Sequence, residues 1–313
     1  MTPWQKALWV FAGIVVALIL ASIIGVWLNR RASSEAARAT VENFRARVNA
    51  WWVMIAVLAV AFALGKTATL VLFGFISFFA LREFITLTPT RPSDYMPLVL
   101  AFFVLLPMQY VLIGMNQYGT FVIFIPVYGF LLLAIAATLA ADTREFLERN
   151  AKIQWATMIT IYCISYVPAL LLLRIPGYEG SSALLLFYLL LVVQLSDVLQ
   201  YVFGKLFGKR KLAPVLSPSK TVEGLVGGGL SATLIGGALA WITPFSVPAA
   251  LAISFVIVVM GTLGGLTLSA MKRGLGAKDW GVMIEGHGGM LDRMDSVSFA
   301  APVFFHITRF FYA

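Results

Sequence analysis

Residues 269–296 read SAMKRGLGAKDWGVMIEGHGGMLDRMDS, and the segment concentrates residue types that can do chemistry. It holds Asp279, Asp292 and Asp295, Glu285, the cations Lys272, Arg273, Lys278 and Arg293, and His287, one of only two histidines in the chain. Asp292 and Asp295 are spaced i,i+3, so a helix beginning there turns both carboxylates to one side. Hard oxygen donors in that pattern suit Mg2+; zinc would want more His or Cys than this chain has. Gly286, Gly288 and Gly289 bracket His287 and permit close approach of backbone to a ligand. Carboxylates for a metal beside cations for phosphates are the equipment of phosphoryl or nucleotidyl transfer.

A second segment, 196–224, reads SDVLQYVFGKLFGKRKLAPVLSPSKTVEG. Asp197 lies about two turns inside an apolar run, where a carboxylate is costly unless it is paired or binds a cation. Gln200 and Tyr201 follow one turn later on its face. Lys205, Lys209, Arg210, Lys211 and Lys220 then make a basic stretch. Ser217, Lys220 and Thr221 lead into the next apolar run. Free N–H groups at that helix start, with Lys220 beside them, would cradle a phosphate. Gly224, Gly227, Gly228 and Gly229 read as helix-packing glycines. Other sites are missing from the sequence: there is no GxxxxGK[ST] phosphate loop and no G-x-S-x-G elbow, and GTLGG at 261–265 falls inside an apolar run.

The elements that must carry these segments follow from composition. Of 313 residues, 60% are hydrophobic and 12% charged, with mean hydropathy +0.91. A soluble globule could not cover itself with so little polar surface, which excludes a water-soluble enzyme, a disordered chain and a disulfide scaffold. The single cysteine, Cys163, sits in an apolar run and reads as core filler. The expected fold is all-α: a polytopic transmembrane bundle of about ten spans with cytoplasmic active-site loops. Candidate spans are 3–28, 50–64, 67–86, 96–113, 119–140, 154–173, 183–203, 224–242, 247–269 and 297–312, the second short enough to form a re-entrant hairpin with the third. With the N-terminus outside, all of the 23 Lys and Arg except Lys6, Lys66, Arg174 and Arg309 fall in cytoplasmic loops. The net charge of +9 is then loop charge facing the cytosol and anionic lipid, and no nucleic-acid partner is expected. The loop DTREFLERNAK at 142–152 reads as an amphipathic surface turn, and His306 as a satisfied buried histidine. Three regions are expected: 1–49, an extra anchor and a polar surface segment; 50–175, an N-terminal bundle; and 176–313, the catalytic part.

The pattern Ser269, Lys272, Arg273, Lys278, Asp279, His287, Gly288, Gly289, Asp292, Arg293, Asp295 closely resembles the signature of phosphatidate cytidylyltransferases, also called CDP-diacylglycerol synthases. Asp197, Tyr201, Gly204, Lys205, Gly208, Lys209, Lys211, Ser217, Pro218, Lys220, Thr221, Glu223 and Gly224 look like that family's second motif. The resemblance implies a bacterial inner-membrane enzyme that uses CTP and phosphatidic acid with Mg2+ to make CDP-diacylglycerol and pyrophosphate. It implies Asp197, Asp279, Asp292 and Asp295 as metal shell and Lys278 and His287 as further catalytic groups. Substrates would be bound by Ser217, Lys220, Thr221, Lys272, Arg273, Arg293, Lys209 and Lys211. A homodimer is allowed. The family's usual proline or glycine two residues before the histidine is Glu285 here, and residues 1–49 add a span; both departures imply a diverged paralogue. The alternatives are another CTP-using lipid enzyme (a CDP-archaeol synthase or a polyprenol kinase), a lipid transporter, or a scaffold without catalysis.

Overall fold

The computed structural model describes all residues except 32–33 and 284–287, and all other side chains except those of 36, 37, 40 and 43. Among the described residues the chain forms ten long helices and one two-stranded hairpin. The helices are α1 (Pro3–Arg31), α2 (Glu35–Ala63), α3 (Lys66–Leu87), α4 (Pro92–Gly114), α5 (Tyr118–Leu139), α6 (Phe146–Leu172), α7 (Ser182–Phe207), α8 (Val222–Ala238), α9 (Val247–Gly274) and α10 (Met290–Tyr312). The hairpin joins α7 to α8 and pairs β1 (Lys211–Ala213) antiparallel with β2 (Ser217–Thr221). Among the described residues nine helices, α1 to α9 (α8 with its continuation to Ile242), are long and apolar enough to cross a membrane, so the chain is an integral membrane protein. The tenth expected span is α10, 23 residues long; Asp292, Arg293 and Asp295 in its first turns make it more polar, and much of it is buried among its neighbours.

Helix α2 differs from expectation. Residues 35–63 contain no Gly or Pro, and the Ala/Arg/Glu-rich stretch has good helix propensity. One continuous helix results, with an apolar window at Phe44–Ala63 in place of a short span at 50–64. Trp52 Nε1 donates to Ser22 Oγ on α1 at 3.2 Å, and α1 reaches α7 through Phe11 and Phe187, whose rings lie 4.7 Å apart. Helices α4 and α5 contain π-helical turns at Ala101–Leu105 and Phe124–Gly129. Pro107 and Pro126, which lack an N–H, follow the first and sit within the second.

Successive helices run in alternating directions. The C-terminal ends of α3, α5, α7 and α9 therefore share one end of the bundle with the starts of α4, α6, α8 and α10. At that end the 142–152 stretch is more than a surface turn. Buried Arg149 pairs with Asp94 at 3.0 Å and Asp142 at 2.9 Å, tying α4 to the α5–α6 turn. The Arg144 side chain, seconded by Ser93, holds the Asp142 carboxyl well below the usual carboxylate range.

Glycines decide how closely α7 to α10 approach. A Cβ on Gly228 of α8 would stand 2.3 Å from the Gln200 nitrogen of α7, and one on Gly224 would stand 2.5 Å from the Gln200 carbonyl oxygen. Here backbone meets backbone, so no side-chain motion could relieve the clash. Gln200 itself donates to Ser196 Oγ at 2.7 Å and to Thr262 Oγ1 of α9 at 3.0 Å. Gly264, inside the GTLGG stretch, faces Phe299 of α10. Gly228→Leu is therefore expected to lower the detergent melting stability by about 1–3 kcal/mol. Gly13→Leu, which meets open space on α1, is expected to change it little; equal melting curves for the two variants would contradict this packing account.

Candidate active site

The site begins with the start of α10. The first N–H groups of a helix have no partner within it, and a membrane protein has little water to offer them. Asp292, the third residue of α10, accepts from the Gly289 N–H at 2.8 Å through Oδ2, and the same oxygen accepts from the Trp280 N–H at 2.8 Å. Its other oxygen accepts from Lys272 Nζ of α9 at 2.6 Å, and both side chains are buried. Glu83, near the end of α3, takes the next two donors: Met290 N–H at 2.8 Å and Leu291 N–H at 2.9 Å. Trp280 stacks on Phe84 of α3, ring centroids 4.9 Å apart, and seats the preceding loop. Only glycine fits at 288: φ is +80°, and a Cβ would stand 2.8 Å from Asp292 Oδ2.

One turn along α10, Asp295 faces Asp197 of α7 and the cations Lys220 and Lys272. Asp197, half-buried, faces Ser296 and the charges of Lys220 and Arg293. Lys220, at the end of β2, reaches across α9. A Cβ on Gly265 would stand 3.1 Å from its Nζ, 3.3 Å from Ser296 Oγ and 3.9 Å from an Asp295 carboxylate oxygen. Neither Asp197 nor Asp295 forms a direct ion pair among the described residues, and neither do Lys220 and Arg293. Arg293 Nε is buried without a hydrogen-bond partner.

Thus Asp197, Asp292, Asp295, Lys220, Lys272 and Arg293 are brought together. Lys209, Lys211, Arg273, Lys278 and Asp279 are exposed, and Ser217 is half-buried in β2. Asp279 neighbours Gly288, with its Cβ 3.5 Å from where a Gly288 Cβ would stand. Arg273 donates to the Ala277 carbonyl at 3.2 Å, at the end of α9. Thr221 caps α8 by accepting from the Gly224 N–H at 3.1 Å, so its hydroxyl already has a structural task. The Lys209 and Arg210 N–H groups donate to Glu223. Tyr201 is exposed, with Lys205 over its ring, while Gln200 is buried. Glu285 and His287 lie outside the described residues. His306 Nε2 and the Tyr166 hydroxyl are 3.1 Å apart in a hydrogen bond.

The four aspartates expected as one metal shell divide. Among the described residues no three His, Cys, Asp or Glu side chains converge as a metal cluster. Asp292 is committed to Lys272 and backbone, and Asp279 is on the surface. Asp197 and Asp295, with the Ser296 hydroxyl, remain a hard-oxygen donor set. That set fits Mg2+, which is commonly held by one or two carboxylates while keeping waters and phosphate oxygens as its other ligands. Sequence reasoning missed Ser296, Phe84 and Glu83. For Glu83 a signal existed, an acid within an apolar helix, though its partner is the backbone of residues about 200 positions away.

Comparison with known proteins adds family relationships. Residues 45–311 match the model of the cytidylyltransferase family. The chain is 39% identical over 267 residues to Uncharacterized protein YnbB of Escherichia coli (strain K12), covering 84% of this chain and 87% of that protein. It is 40% identical over 127 residues to a phosphatidate cytidylyltransferase of Staphylococcus aureus (strain COL), covering 40% of this chain and 48% of that protein. A Staphylococcus haemolyticus (strain JCSC1435) protein of the same name is 41% identical over 118 residues, covering 37% of this chain and 45% of that protein. These two alignments span about half the length of the staphylococcal relatives.

The split among the aspartates is testable by stability alone. Asp292→Asn leaves buried Lys272 without its counter-charge and is expected to destabilise the protein by about 3 kcal/mol. Asp295→Asn removes one of two facing carboxylates and is expected to leave the melting temperature unchanged or raised. Melting curves in detergent without added metal check both, and the opposite ranking would reverse the assignment.

Proposed function

The chain belongs to the cytidylyltransferase family, and from that premise we propose that it transfers CMP from CTP to the phosphate of phosphatidic acid. The products are CDP-diacylglycerol and pyrophosphate. The observation that carries the proposal is the gathering of Asp197, Asp295, Lys220 and Arg293, none of which forms an ion pair among the described residues. Two carboxylates and uncommitted cations at one end of a membrane bundle suit a reaction between a nucleotide from water and a lipid phosphate at the interface. Names of the staphylococcal relatives support phosphatidic acid as the acceptor.

In the proposed reaction an oxygen of the lipid phosphate attacks the α-phosphorus of CTP. A new P–O bond forms there, and the bond to the β-phosphate bridging oxygen breaks. The bonding electrons leave on pyrophosphate, and no covalent enzyme intermediate is needed. Asp197 and Asp295 would hold Mg2+, which supplies neutralisation of charge on the phosphate oxygens. Lys220 and Arg293 are suited to bind phosphate groups, Arg293 through a guanidinium that lacks a partner at Nε. These groups are held by α7, β2 and α10 before substrate arrives, so little reorganisation accompanies the reaction. Lys272 and Asp292 fix the start of α10 and act as positioning residues. The charge distribution of the loops supports a cytoplasmic site in a bacterial inner membrane, where CTP is available.

The test is an assay on purified protein with α-labelled CTP, phosphatidic acid and Mg2+. Label is expected to enter the lipid phase as pyrophosphate appears. Asp295→Asn and Asp197→Asn are expected to reduce turnover on the order of a hundredfold or more, and Lys220→Ala chiefly to raise KM. Full activity in both Asp variants would overturn the assignment. Label that enters other phospholipids or polyprenyl lipids but not phosphatidic acid would overturn the acceptor.

A further inference from the structure

The end of the bundle opposite the candidate active site holds a cavity that the proposed reaction does not use. It lies where the α2–α3, α4–α5 and α6–α7 connections meet, and its volume is about 780 Å3. Along α3, Lys66 at this cavity and Glu83 at the active site are seventeen residues apart, about 25 Å at 1.5 Å per residue.

The lining combines two chemistries. Phe62 and Leu171–Leu173 form an apolar wall, and Lys66 and Arg174 supply two exposed cations, with Glu179 as the sole acid among the lining residues. The two cations lie 108 positions apart in sequence, yet the fold brings them close enough to repel each other. Lys66 makes only long contacts, 3.4 Å to the Gly114 carbonyl oxygen and 3.4 Å to Asn116 Oδ1. Arg174 has no hydrogen bond or ion pair among the described residues. The Glu179 carboxylate accepts from the Gly177 N–H at 3.0 Å, so part of its capacity is taken. Lys66 is also the first residue of α3, whose preceding Gly65 offers no side-chain cap, and the positive end of a 22-residue helix therefore adds to the same field.

Two like charges that form no ion pair among the described residues, beside an apolar wall at the ends of membrane-spanning helices, fit a ligand with an anionic head and a hydrocarbon body. We propose that this cavity binds the phosphate headgroup of an anionic phospholipid in the leaflet opposite the active site. Lys66 and Arg174 contact the phosphodiester, and Phe62 and Leu171–Leu173 contact the upper acyl chain. The site is independent of the cytidylyl-transfer reading, since none of its residues touches that machinery.

The experiment uses the full chain in nanodiscs with a phosphatidylglycerol probe carrying a photoactivatable acyl chain, adducts being mapped by peptide mass spectrometry. Labelling is expected in the peptides spanning 62–66 and 171–183, and unlabelled phosphatidylglycerol, but not phosphatidylcholine, should compete it away. In Lys66→Gln/Arg174→Gln, labelling there should fall on the order of tenfold. Lys66→Arg/Arg174→Lys, which keeps both charges, should retain it. Melting curves in detergent should match those of the unchanged protein in both variants, which shows that they fold. Labelling unchanged in the neutral variant, absent from these peptides, or competed equally by phosphatidylcholine would overturn the proposal. Displacement of the lipid by millimolar inorganic phosphate would make this a soluble-anion site and would also overturn it.

Discussion

The start of α10 is held by two buried carboxylates from different parts of the chain, and the geometry of the site depends on that hold. Asp292 takes the Gly289 and Trp280 N–H groups and the Lys272 ammonium; Glu83 takes the Met290 and Leu291 N–H groups. The orphan donors of a helix start are thereby satisfied in a place where water is scarce. Because Lys272 belongs to α9 and Glu83 to α3, the first turn of α10 is fixed against both. Asp295 and Ser296, one turn on, inherit that position.

This arrangement separates acids that look alike. Asp292 is neutralised by a direct ion pair and spends its lone pairs on structure. Asp295 and Asp197 lie near each other with cations close by, and neither forms an ion pair among the described residues. Two carboxylates so placed repel, and a bound divalent cation would relieve that repulsion. Lys220 and Arg293 stand in the reciprocal condition, as cations short of anions. In the proposed reaction, an anionic phosphate carrying a divalent metal would complement both halves at once.

The two segments that meet at the candidate site were legible from residue type and spacing, and so was the all-α membrane architecture. The division of labour was not. The i,i+3 spacing puts Asp292 and Asp295 near one side of a helix, but helical periodicity carries no information on which of them meets Lys272. Glu83 stayed hidden because its partners are backbone N–H groups of a distant helix, and backbone donors leave no mark in a sequence. The β-hairpin escaped for a different reason: SPSKT carries a proline and no alternating apolar pattern, and it forms a strand because its ends are fixed by α7 and by the Thr221 cap of α8. The packing glycines were readable as a class, yet the contact between Gly228 and the Gln200 backbone required coordinates.

The same packing bears on whether the bundle could move a solute through its middle. A transporter places polar groups on broken helices near the membrane midplane in both halves. Here several polar groups within the bundle are hydrogen-bonded to one another: the Gln109 amide N–H group donates to Ser165 Oγ and the Phe121 carbonyl, and Tyr188 hydrogen-bonds with Ser254. The site's carboxylates and cations stand toward one end instead, where α7, α8 and α9 are drawn together by glycine contacts. Close packing beneath a charged end favours chemistry at a surface over passage across it. The proposed reaction, between one reactant from water and another that stays in the lipid, calls for that geometry.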